Sequence, residues 1–124
     1  MSQAASQWAT FARDVAAHGK VWTVKDSGGF PAPLTSSGKR AQPFWSSLSR
    51  VKKIISTVPA YAGFEPFELS WPEFRDKWLP GLERDGLLIG VNWSGPRAAG
   101  YDVTSQEVLA RIQHEQSKEA KTNA

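Results

Sequence analysis

Glu73 and Asp76 stand three residues apart in SWPEFRDKW, near enough on one helix face to share a proton as an acid–base pair. Arg75, Lys77 and Arg84 crowd the same stretch, so a solvated, charge-balanced surface accounts for the pair more simply. Glu65 with Glu68, and Glu83 with Asp85, are the other close carboxylates. His18 and His114 lie far apart, each near the end of a predicted helix. Neither has a His, Cys or acidic partner at a recurrent metal-ligand spacing. No serine occupies a G-x-S-x-G turn, and SGPRAAG (94–100) lacks the spacing of a dinucleotide loop. The chain has no cysteine, which removes thiolate chemistry and disulfides. The expectation is a protein that is not an enzyme and holds no cofactor and no metal.

The charge pattern says more. The net charge is +3, yet residues 27–64 carry Lys39, Arg40, Arg50, Lys52 and Lys53 with no acid at all. Phe44, Trp45, Tyr61 and Phe64 lie among these cations. A one-signed field steers oppositely charged partners, and aromatic rings anchor interfaces. The expected binding surface is therefore Lys39, Arg40, Phe44, Trp45, Arg50, Lys52, Lys53 and Tyr61, with Trp45 reaching the surface. An acidic protein is the favoured partner. Weak RNA binding is the alternative, although no aromatic RNP pair, G-x-x-G loop or helix-turn-helix spacing is present. A small enzyme with an unrecognised site is the third reading. The plain alternative for these residues is a solvated helix face with Phe44 and Trp45 in the core.

These residues must be positioned by a fold, and the periodicities indicate one. Trp8, Phe11, Ala12 and Val15 form a single helical stripe ended by Gly19. VWTVKD (21–26) reads as a strand, and FPAPLT (30–35) as its hairpin partner, held to a sheet edge by Pro31 and Pro33. Leu48, Val51, Ile54, Ile55 and Val58 mark a second helix, and FEPFELS (64–70) a strand. Ser70 with Glu73 makes a capping box for a helix carrying Trp71, Phe74, Trp78 and Leu82. Pro80 and Gly81 interrupt that helix, and the surviving apolar stripe marks the break as a joint rather than a phosphate loop. LLIGVNW (87–93) is apolar enough for a central strand, with YDV (101–103) beside it. Thr104 and Glu107 cap a last helix running to about Gln116.

The order α-β-β-α-β-α-β-β-α implies an α+β domain with an antiparallel, or mixed, sheet of four or five strands and about four helices. Helices would cover one face, the alternative being both. Residues 1–117 would form the single domain and 118–124 a flexible tail. No stretch approaches a membrane span or a signal core, which suits a cytoplasmic protein.

The stretch SWPEFRDKWLPGLERDGLLIGV, with VW in the first strand and PFW before the second helix, resembles the bacterial domain-of-unknown-function family DUF2750. The resemblance runs from about Phe11 to Val108 and is most specific in WLPGLERDG, Trp78 to Gly86. It implies a stand-alone bacterial cytosolic protein with no established activity and transfers no site residues. The cations Arg50, Lys52 and Lys53 are not part of the pattern.

Overall fold

The computed structural model describes residues 2–122 and begins with α1 (Gln3–His18). The Ser2 hydroxyl accepts the Ala5 N–H at 3.1 Å, and Gly19 closes the helix at φ 68°. That left-handed turn is cheap only for glycine, and it delivers the chain into β1 (Lys20–Lys25). Next come β2 (Ala41–Phe44), α2 (Leu48–Thr57), a 3₁₀ turn at Pro59–Tyr61 and β3 (Glu65–Ser70). A helix in three parts follows: α3 (Trp71–Glu73), a π turn (Phe74–Trp78) and α4 (Leu79–Arg84). The described chain ends with β4 (Leu88–Ser94), β5 (Ala99–Val103) and α5 (Ser105–Thr122). The fold is α+β, in the expected order.

β1 pairs antiparallel with β3, from Lys20 opposite Ser70 to Lys25 opposite Glu65. β4 lies between β2, which runs parallel to it, and β5, which runs antiparallel. The two ladders meet where Trp22 and Trp45 exchange both backbone hydrogen bonds, at 2.8 and 2.7 Å. The strands therefore form two sheets, antiparallel β3-β1 and mixed β2-β4-β5, which this one bridge joins side by side in the order β3-β1-β2-β4-β5.

Neighbouring strand residues point to opposite faces, and the buried side chains sort accordingly. Val21, Phe44, Leu69, Ile89 and Val91 pack with Phe11 and Val15 of α1 and Val108 and Ile112 of α5. Val24, Ala41, Trp45 and Trp93 pack with Val51 and Ile54 of α2 and with Tyr61. Helices thus cover both faces instead of one. α1 and α5 already fill the first face, so the apolar stripe of α2 must be buried on the second.

FPAPLT does not return as a strand. Phe30 packs edge-on against Phe67 and Trp78, with ring centroids 5.3 and 4.9 Å apart. Pro31 and Pro33 have no N–H to donate, and the segment joins only a short arm in which the Pro33 carbonyl accepts the Ala41 N–H. The second strand is AQPF, which lies between the segment expected to be that strand and the second helix. α5 also outruns its expected end near Gln116. Lys118, Glu119, Ala120 and Lys121 are competent helix formers, and Lys118 pairs with Glu115 at 3.4 Å. The expected tail is thus helical from 118 to Thr122, while Asn123 and Ala124 lie outside the described residues.

The joint before Pro80 has a definite form. The Leu79 N–H bonds to the carbonyl of Phe74, five residues back rather than four. The widened turn takes up the interruption that a proline in mid-helix imposes. The extra residue rotates the stripe, so Leu79 is buried and Trp78 only partly so.

Candidate functional site

The site is built around one irregularity in β4. Val91 faces Tyr101 and Ser94 faces Ala99, so β4 spends one residue more than β5 over the same span. Asn92 sits in that bulge at φ 49°, a left-handed conformation that asparagine tolerates better than most side chains. Without the bulge, Trp93 would share the face of Ile89 and Val91. With it, the indole turns to the opposite face and lies against Gly90, where any Cβ would collide with the ring.

Asn92 is held by a polar cluster that spans three elements. Its Oδ1 accepts the Ser46 N–H at 2.9 Å, and its Nδ2 donates to Ser46 Oγ at 3.0 Å and to the Gln7 carbonyl at 3.3 Å. Ser46 Oγ in turn donates to Asp14 Oδ2 at 2.7 Å, and Gln7 Nε2 donates to Ser94 Oγ at 2.6 Å. Every polar group of the Asn92 side chain is thus satisfied, as burial demands. The cluster ties α1, the start of α2 and β4 together behind Trp93.

Two clefts open beside that indole. The first, about 570 Å³, lies between the 31–36 arm, the 60–64 loop and the β4–β5 hairpin. Its walls include Pro33, Leu34, Phe64 and Trp93, and its ionisable groups are Arg40, Arg97, Asp102 and the phenol of Tyr61. The second, about 490 Å³, lies between the start of α1, the flank of α2 and the β4–β5 turn. Ile54 and Trp93 provide its apolar surface, Gln3, Gln7, Thr57 and Ser94 its neutral polar groups, and Arg50 and Lys53 its charge. Among the described residues no carboxylate lines it.

The expected surface does not survive as one patch. Phe44 and Trp45 are fully buried, and on opposite faces of the sheet. Trp45 donates its indole N–H to the Trp93 carbonyl at 2.8 Å and meets Tyr61 edge-on. It is core, contrary to the expectation that it reaches the surface. The reason is the bridge to Trp22: Trp45 still belongs to the strand, so its side chain is aimed inward. Tyr61 is also buried, at 6% exposure. The cations remain accessible but divide, with Arg40 in the first cleft, Arg50 and Lys53 in the second, and Lys39 and Lys52 exposed elsewhere. Among the described residues none of these five forms an ion pair.

Titration follows the surroundings. Burial pushes the Asp102 carboxyl above its ordinary value, while the hydrogen bond from Trp93 Nε1, 3.0 Å to Oδ1, pulls the other way. Burial also raises the Tyr61 phenol, keeping it a protonated donor. Asp76 is lowered by its hydrogen bonds from Arg75, at 2.7 and 2.8 Å, on an exposed face away from both clefts. That geometry is the solvated, charge-balanced surface expected of this stretch, with Arg75 rather than Glu73 as the partner of Asp76. Among the described residues there is no cluster of three His, Cys, Asp or Glu side chains, and no helix is long and apolar enough to cross a membrane.

Trp93, Asn92 and Asp102 were not among the sequence candidates. One signal was available for them. A lone asparagine inside the apolar run LLIGVNW needs buried partners, and such a residue often marks a departure from regular strand geometry. A family model described as a protein of unknown function, DUF2750, matches residues 8–112. No curated protein matches the chain.

Proposed function

The chain belongs to the DUF2750 family, and from the cleft beside α2 we propose that it is a non-catalytic module that binds an acidic segment of another protein. One observation carries this reading: the cleft holds Arg50 and Lys53, one helical turn apart, with no carboxylate among the described residues to answer them. A carboxylate side chain entering the cleft could accept from both cations and from the Gln3 side-chain amide. Ile54 and Trp93 would bury the adjoining apolar part. Protein is favoured over RNA because the rings that could have stacked on bases, Phe44, Trp45 and Tyr61, are in the core.

The test is affinity capture with the wild type and with an Arg50→Glu/Lys53→Glu variant, with and without nuclease. The reading expects nuclease-resistant capture that the charge reversal removes while the thermal midpoint stays within a few degrees. Capture that nuclease abolishes would transfer the cleft to nucleic acid. Capture indifferent to the double reversal would take the partner away from this cleft.

A further inference from the structure

We propose that the first cleft, on the opposite side of Trp93, is a small-molecule site for an amphoteric ligand: an anionic group and an N–H donor on a flat apolar body. Its volume of about 570 Å³ falls in the range of pockets that enclose such molecules. The argument rests on polar groups that the protein leaves open.

Asp102 receives the Trp93 indole N–H on one oxygen, and its second oxygen has no protein donor among the described residues. Arg97 has no hydrogen bond or ion pair there, and Arg40 uses one nitrogen on the Ala32 carbonyl at 3.0 Å. The two guanidinium groups and the carboxylate share one cleft without pairing. Opposite charges held apart in a concavity suit a ligand with an anionic group at one end and an N–H donor at the other, since each end then finds its complement without rearrangement.

Tyr61 supports the same reading from the floor. The residue is buried, yet its hydroxyl makes no hydrogen bond among the described residues and is not among the fully enclosed polar atoms. It must therefore reach open space, and the space that Tyr61 lines is this cleft. Leu34, 63% exposed on the rim, gives an apolar surface that a flat ligand would cover. The β4 bulge acquires a role here, because it places the indole where its N–H orients Asp102.

Two sources share this chemistry: an aromatic amino acid, whose ammonium would meet Asp102, and a nucleoside monophosphate, whose base edge would. The ¹⁵N-labelled protein should be titrated with tryptophan, tyrosine, guanosine monophosphate and adenosine monophosphate, following the Trp93 indole N–H. The expected result is a saturable shift with one class, at a dissociation constant under about 1 mM. Asp102→Asn and Arg97→Gln should each weaken it at least about tenfold. No saturable shift with any of the four probes would overturn the proposal. So would a shift retained unchanged in both variants.

Discussion

The indole N–H of Trp45 lies 2.8 Å from the carbonyl oxygen of Trp93, joining the end of β2 to the residue that the β4 bulge has redirected. Trp45→Ala removes that bond and leaves a large cavity in the α2 side of the core. The expected cost is about 3 to 5 kcal/mol in denaturant unfolding. Trp45→Phe keeps much of the volume and should cost about 1 to 3 kcal/mol, mainly for the orphaned carbonyl. Near-neutral stability in Trp45→Ala would return Trp45 to the surface.

Asn92 combines two demands that different substitutions separate. Asn92→Gly tolerates φ 49° but abandons the buried Ser46 N–H, at a cost of about 1 to 3 kcal/mol. Asn92→Ala incurs the same loss and adds the left-handed strain, so it should be about 1 kcal/mol worse. Urea midpoints of the two variants give the difference directly. Equal midpoints would mean that the bulge relaxes when its side chain is lost.

At Gly90 the prediction is steric. A methyl group there meets the Trp93 ring, which is itself held within the α2-side core cluster. Gly90→Ala should destabilise by about 1 to 3 kcal/mol and shift the Trp93 indole resonance. At Gly100 an added Cβ would stand 3.1 Å from Trp93 Cδ1, a contact that a small tilt can absorb. Gly100→Ala should therefore be the milder of the two, and the reverse ranking would misplace the indole.

Asp102 makes stability depend on pH. Its carboxyl is raised by burial, so the folded chain binds the proton more readily than the unfolded chain. The stability associated with its neutral form is fully present below the ordinary Asp value and is lost as pH rises through the folded value. Asp102→Asn can still accept the Trp93 N–H but cannot ionise. Relative to wild type it should gain stability as pH rises through that window, then hold a constant advantage. Urea unfolding at a series of pH values from 3 to 7 tests this, and an advantage that shrinks with rising pH would contradict it.

Local features were legible in the sequence wherever one residue type answers to its immediate neighbours. Gly19, the Ser70 cap and the Thr104–Glu107 box all act as their spacing indicates, and the Thr104 N–H meets Glu107 Oε1 at 2.9 Å. Long-range pairing was not legible. Nothing near AQPF announces that its partner is LIGV, more than forty residues later, so the Pro-containing FPAPLT looked like the better strand. The cations were visible as a run, but their division between two clefts depends on the β4–β5 hairpin, which the run does not mention. Trp45 misled for a related reason. PFW reads as a loop entering a helix until the bridge to Trp22 makes it the end of a strand.

The parallel β2–β4 pairing also sets a timetable for synthesis. When α2 has just emerged from the ribosome, β1 and β2 are already outside, while β3, β4 and the carbonyl that receives the Trp45 indole have still to emerge. The two emerged strands stand with open edges, and the apolar stripe of α2 has only part of its bed. The hairpin of β4 and β5 closes the sheet from the middle outward, and α5 then seals α1. Folding must therefore wait for the last third of the chain, and the interval before it arrives is when this protein is most exposed to aggregation.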